Sequence, residues 1–235
     1  MQGGAGQGRF ISFEGGEGAG KSTQCRRLKD ALASAGIEAL LTREPGGSPK
    51  AEEIRRLLLS GAVKPFGQSA EAMMFSAARI DHLDNTIRPA LTAGIWVICD
   101  RFADSTRAYQ GARDEVETGF IDALERVAVG QTRPDLTLIL DISPEQGLRR
   151  AADRAGAGSA PDRFEQESLA FHRLVRNRFL DIAAREPVRC AVIDATLSPE
   201  AVAERVWSTV KVRLFSAGTA PHRGRRMAQP QVRSG

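Results

Sequence analysis

Five short apolar runs punctuate the chain: Phe10 to Phe13, Ile37 to Leu41, Ile95 to Cys99, Leu136 to Leu140 and Val188 to Ile193. Longer amphipathic segments separate them. Nearly continuous apolar runs suit strands buried on both faces, and strands alternating with helices imply right-handed crossovers in a parallel sheet covered on both sides. Ligands of such sheets gather at the carboxyl edge of the strands. The first run leads into Glu14-Gly15-Gly16-Glu17-Gly18-Ala19-Gly20-Lys21-Ser22-Thr23, the second into Arg43-Glu44-Pro45-Gly46-Gly47 and the third into Asp100-Arg101-Phe102. Three glycine-rich or arginine-bearing turns are therefore expected on one edge. Along Ser69 to Ala93, the residues Ala70, Met73, Met74, Ala77, Ile80 and Ile87 recur at helical spacing and are expected to face the core. Phe75, Arg79 and His82 fall on another face, and His82 is read as a partly exposed surface residue.

With 235 residues, 42% of them hydrophobic and 26% charged, the chain fits one globular α/β domain. No apolar run approaches the roughly 20 residues that cross a bilayer, and the polar, glycine-rich start lacks the apolar stretch of a secretory signal. A soluble, cytoplasmic protein with no membrane partner is expected. Cys25, Cys99 and Cys190 are odd in number, far apart and in no metal-ligand spacing, so they are read as reduced core residues. The net charge of +4 is small. Part of it lies in His222, Arg223, Arg225, Arg226 and Arg233, among Gly, Pro, Gln and Ser. Such a composition buries too little apolar surface to offset ordering entropy. Residues 216–235 are read as a disordered basic tail, 1–8 as a similar extension and 9–215 as the folded domain, with no nucleic-acid partner.

Gly15 to Ser22 carries glycine at its first and sixth positions and Lys-Ser at its seventh and eighth, between an apolar strand and a helix starting near Gly20. This is the context a phosphate loop requires. Glycines let backbone N–H groups point at phosphate oxygens, the helix N-terminus adds partial positive charge, and Lys21, read as exposed in the loop, adds a cation. Ser22 can hold Mg²⁺. With Gly at about 7% of average usage, a chance match is on the order of one per cent. The loop alone says only that a nucleoside triphosphate binds.

Taken with the phosphate loop, Arg43 to Gly47, the run Asp100-Arg101-Phe102-Ala103-Asp104-Ser105-Thr106-Arg107-Ala108-Tyr109-Gln110-Gly111 and the segment Asp162 to Ser168 resemble the thymidylate kinase family. The resemblance runs from about Phe10 to Leu214. It implies a P-loop α/β fold, a five-stranded parallel sheet flanked by helices, with a small mobile lid near 152–163. It also implies transfer of the γ-phosphoryl of ATP to dTMP with Mg²⁺, in a homodimer. Rival readings are another nucleoside monophosphate or deoxynucleoside kinase, or a P-loop switch or nucleic-acid remodeller, against which the absence of helicase-like motifs argues.

By the same resemblance, Gly15, Gly16, Glu17, Gly18, Ala19, Gly20, Lys21, Ser22 and Thr23 hold ATP, and Phe75 and Arg79 stack on thymine and donate to its carbonyl edge. Arg55 and Arg101 hold the dTMP phosphate, offsetting its repulsion from the γ-phosphate. Asp100 joins Ser22 at the metal, Glu17 sits at the sugar and metal, and Tyr109 crowds the ribose 2′ side. Ser105, Thr106 and Gln110 line the same loop, and Phe102 stands where relatives usually carry Tyr or His. No residue among Gly16, Glu17, Gly18 and Ala19 is basic, so the catalytic arginine is expected in the lid. Arg154 is the first choice, with Arg149 and Arg150 covering the adenine.

Overall fold

The computed structural model describes residues 8–112, 118–155 and 164–215, without the side chains of 118, 154 and 155. The extension through residue 7, the tail from 216, lid residues 156–163 and the side chain of Arg154 lie outside the described residues. In chain order the elements are β1 (Phe10–Glu14), α1 (Lys21–Ser34), β2 (Ala39–Arg43), α2 (Pro49–Leu59), α3 (Gly67–His82) and α4 (Arg88–Thr92). There follow β3 (Trp96–Asp100), α5 (Ala103–Tyr109), α6 (Thr118–Val129), β4 (Leu136–Asp141), α7 (Pro144–Ala155), α8 (Leu169–Arg185), β5 (Cys190–Asp194) and α9 (Pro199–Val210).

All five strands are parallel, in the order β2-β3-β1-β4-β5. The expected sheet is present, with β2 and β5 each beginning two residues later than the apolar runs do. Helices cover both faces. Ile11, Phe13, Leu138 and Leu140 pack with Leu28 and Leu32 of α1 and Val202 and Val206 of α9. On the other face Phe10, Val97 and Cys99 meet Leu83, Ile87 and Phe102, while Ile139 meets Val175 and Phe179 of α8. Each such side chain contributes about 1.5–3 kcal/mol by leaving water. The three cysteines are free and buried, as expected.

The strand order decides where the site lies. β1 is central, and its register sets Phe13 opposite Asp100 of β3. The chain leaves β1 toward β2 on one side, whereas β4 lies on the other, so the edge above β1 is a crevice where connections diverge.

The apolar stripe of the segment after Ser69 does not face the core. Met73 is 48% and Ile80 38% exposed, Ala77 is also exposed, and Ala70 and Met74 are half-buried; only Ile87 is fully buried. α3 instead turns inward the face carrying Glu71, Ala72, Ser76, Ala78, Arg79 and His82. The polar groups tolerate that burial because Glu71, Arg79 and His82 find partners across the gap and the Ser76 hydroxyl donates to the Ala72 carbonyl of its own helix. A π-turn at Leu83–Ile87 then shifts the helical phase, and Leu83, Ile87 and Ala90 enter the core.

Candidate active site

The loop after β1 ends at Gly20, whose φ of 90° caps α1. Lys21 opens the helix, yet it is not an exposed loop residue as expected: it is 7% exposed. Its Nζ donates to the carbonyls of Gly15 (3.0 Å) and Gly16 (2.7 Å), so the loop is wrapped around the ammonium. Burial, and after it the neighbouring Arg101, lower its pKa to about 8.

Arg101 follows β3 with φ of 68°, a left-handed conformation that a non-glycine residue adopts at a cost of order 1–3 kcal/mol. This turn aims the guanidinium back at the loop. Its Nη2 donates to Glu17 Oε1 (2.6 Å), and its Nη1 donates to the Gly15 carbonyl (3.2 Å) and Ser105 Oγ (3.3 Å). The same guanidinium lies over the Tyr109 ring at 5.0 Å, and the Tyr109 hydroxyl donates to Glu17 Oε1 at 2.7 Å. Burial opposes the charge of Glu17, but Arg101, Lys21 and the Tyr109 hydroxyl outweigh it and hold the carboxyl near a pKa of about 2. Glu17 is therefore a fixed anion.

Below it, Glu14 is fully buried and accepts from the Phe102 amide (2.8 Å) and the Ser105 hydroxyl (2.6 Å). Burial, then repulsion from Asp104, push its pKa up to about 8, so it carries a proton at neutral pH. Asp104 in turn accepts from Arg189 (2.6 and 3.1 Å) and Arg107 (2.9 Å), which pins α5 to the sheet.

The opposite wall comes from the β2 turn, α2 and α3. Arg55 donates to the Pro45 carbonyl at 2.7 Å. Arg79 is buried, with Nε donating to Glu44 Oε2 (2.8 Å) and Nη2 to Thr106 Oγ1 (3.0 Å). Gln110 donates to Glu71 Oε1 at 2.9 Å. Phe75, Tyr109 and Phe164 form an aromatic box, with Phe164 ring centroids 6.2 Å from Phe75 and 5.7 Å from Tyr109. Phe102 is buried edge-on against Phe10 at 4.9 Å and beneath Arg79 at 5.2 Å, so here that position packs and offers no polar group. His82, expected at the surface, is 0% exposed.

On the loop's other side the Ser22 hydroxyl donates to Asp100 Oδ2. Arg150 of α7 reaches the carboxyl end of β5, donating to the carbonyls of Ala195 (2.8 Å) and Thr196 (3.3 Å). One cavity of about 430 Å³ is lined by Glu17, Gly18, Gly20, Lys21, Ser22, Thr23, Arg26, Arg43, Arg55, Phe75, Arg79, Asp100, Arg101, Ser105, Thr106, Tyr109 and Gln110 among others, whereas Gly15, Gly16, Ala19, Arg150 and the buried Glu14 do not line it. Six cations (Lys21, Arg26, Arg43, Arg55, Arg79 and Arg101) and an aromatic box in one crevice suit two phosphorylated ligands, one of them carrying a flat ring.

Sequence reasoning assigned no role to Glu44, Phe164 or Glu165, which also line the cavity. The turn carrying Glu44 was visible as a motif; its pairing with Arg79 and His82 of α3 was not.

The thymidylate kinase family model matches residues 13–206. A thymidylate kinase of Bradyrhizobium sp. is 56% identical over 217 residues, covering 92% of this chain and 96% of the relative. One from Nitrobacter winogradskyi is 56% identical over 214 residues, covering 91% and 93%. Among solved structures, thymidylate kinase from Ehrlichia chaffeensis superposes with a TM-score of 0.69 at 32% identity, covering 87% of this chain and 98% of that one. With its phosphate loop, its paired Arg101 and Glu17 and its aromatic box in one crevice, the chain belongs to the thymidylate kinase family.

Proposed function

We propose that this chain transfers the γ-phosphoryl of ATP to the phosphate of dTMP, with the residues of the cavity in the following roles. The observation that carries the reading is that the phosphate loop and the wall of Phe75, Arg79 and Tyr109 open into one cavity, with the Arg101–Glu17 pair between them. Lys21 and the loop amides hold the ATP phosphates, and Arg150 lies at the adenine end. Phe75 stacks on thymine, Arg79 donates to its carbonyl edge, and Tyr109 with Glu17 crowds and anchors the sugar. Arg55 and Arg101 hold the acceptor phosphate, which is already anionic and needs no base to attack. Catalysis is then positioning and charge neutralisation.

Ser22 and Asp100 fit Mg²⁺: both are hard oxygen donors, they face each other directly and both line the cavity. Among the described residues no group of three or more His, Cys, Asp or Glu gathers as a cage, as suits an ion that takes its remaining ligands from phosphates and water. Bound there, Mg²⁺ would neutralise charge on the phosphate oxygens. A homodimer is supported by the exposed Met73, Ala77 and Ile80 on one face of α3, an apolar stripe that a second copy would cover. A cytoplasmic location is supported by three unpaired cysteines and by the nucleotide substrates; no helix among the described residues is long and apolar enough to cross a membrane.

A coupled assay with ATP, Mg²⁺ and a panel of dTMP, dUMP, dCMP, ribothymidine monophosphate and thymidine tests the reading. The expected order is dTMP first, dUMP modestly lower, since a methyl is worth about 1–3 kcal/mol, and dCMP and the ribonucleotide far lower. Equal use of dCMP and dTMP would refute it.

A further inference from the structure

His82 ends α3 with its ring wholly buried, and every polar atom of the ring is engaged. Its Nδ1–H donates to Glu44 Oε1 at 3.1 Å, and its Nε2 meets the Thr42 hydroxyl at 2.7 Å. The other oxygen of Glu44 accepts from Arg79 Nε at 2.8 Å. Glu44 is thus clamped at both oxygens, by His82 on one side and Arg79 on the other. Arg79 spends Nη2 on Thr106, and among the described residues its Nη1 bonds to no protein group although Arg79 lines the cavity. The direction in which Nη1 points follows from how the guanidinium is rolled about Glu44.

The ring is itself held from behind. A Cβ on Gly47, whose φ is 86°, would lie 2.3 Å from His82 Nε2 and 2.5 Å from Thr42 Oγ1. Thr86 donates to the Gly47 carbonyl at 2.8 Å, and Ser48 donates to Asp81 Oδ2 at 2.6 Å. The end of α3 and the turn after β2 are therefore stitched into one unit around the imidazole, and a buried His in this place has little rotational freedom.

We propose that His82 is a positioning residue for base selection: by fixing Glu44 it fixes the roll of Arg79, and so the N–H that meets the pyrimidine carbonyl. This rests on the assignment of Arg79 to the thymine edge. Removing the imidazole leaves Glu44 with a buried oxygen unpartnered and free to turn, and Arg79 turns with it.

The test compares H82L with H82N, whose amide nitrogen stands near the place of Nδ1 and keeps a donor for Glu44. In H82L, kcat/KM for dTMP is expected to fall roughly ten- to a hundredfold, the scale of a hydrogen bond to a charged group. kcat/KM for dCMP should change little, and KM for ATP should stay within about twofold, because the phosphate loop is untouched. H82N should recover most of the dTMP preference. If H82L does not fold, T42V carries the test, with a loss of dTMP over dCMP preference of roughly three- to tenfold. An unchanged preference in the folded variant, a parallel loss for dTMP and ATP, or H82N no better than H82L would overturn the proposal. The unmodified chain is measured first: equal use of dCMP and dTMP there refutes the base assignment itself, whereas a normal preference that H82L retains refutes only the role of His82.

Discussion

Gly147 of α7 and Gly18 of the phosphate loop touch backbone to backbone: a Cβ on Gly18 would lie 1.9 Å from the Gly147 carbonyl oxygen, and a Cβ on Gly147 would lie 2.3 Å from the Glu17 carbonyl oxygen. Helix α7 therefore starts directly on the glycine-rich loop between β1 and α1. Two facing glycines permit an approach that any side chain would prevent.

In an open helix interior, replacing Gly by Ala stabilises by about 1 kcal/mol. For Gly147→Ala the opposite is expected, because the added methyl meets backbone that cannot move without displacing Glu17. A destabilisation of about 1–3 kcal/mol, the cost of overpacking, should appear together with a raised KM for ATP. Thermal unfolding and steady-state kinetics check this, and a higher melting temperature with normal kinetics would refute the contact.

Lys21, with its pKa lowered to about 8, is charged at neutral pH and loses its proton as pH rises. The profile of kcat/KM for ATP, which reports the free enzyme, should accordingly decline as pH rises through about 8. Bound phosphates favour the ammonium, so the corresponding limb of kcat should lie at higher pH. Lys21→Ala should lower kcat by at least about 10²-fold, as expected for one preorganised charge at the transferring group. A kcat/KM profile flat across this range would show that Lys21 is not held as its buried position requires.

Glu14 has its pKa raised from 4.5 to about 8 in the folded protein. Between those values the native state keeps a proton that the unfolded chain releases, so stability is fullest below the lower value and falls as pH rises toward the upper one. Glu14→Gln is neutral throughout and removes that slope. Melting temperatures measured from pH 5 to pH 8 should therefore decline more for the wild type than for the variant; parallel curves would place the proton elsewhere.

Arg150 reaches the end of β5, whereas Arg154 is one turn further along α7, near its end at Ala155. If Arg154 serves the transferring phosphoryl group, Arg154→Ala should lower kcat by roughly 10²-fold with a smaller change in ATP affinity. Arg150→Ala should instead raise KM for ATP and leave kcat nearly intact. Full kcat in Arg154→Ala would move the role to another lid residue.

Local pattern alone determined the five parallel strands, the phosphate loop at Gly15–Ser22 and the three turns that meet above β1, because continuous apolar runs and a glycine-spaced loop are short-range signals. The resemblance carried by those turns also marked Phe75, Arg79, Arg101 and Tyr109, all of which line the cavity. Periodicity misread α3, since a rule that buries apolar faces cannot know that Glu44 and Thr106 wait across the gap for Arg79, or that Glu44 and Thr42 wait for His82. Those partners are 27 to 40 residues away in sequence, and their pairing exists only once β2, α3 and α5 are docked. The same holds for the proton on Glu14 and the charge on Glu17. Two glutamates three residues apart are alike in the chain; burial beside Asp104 keeps one neutral, and Arg101 with Lys21 keeps the other ionised.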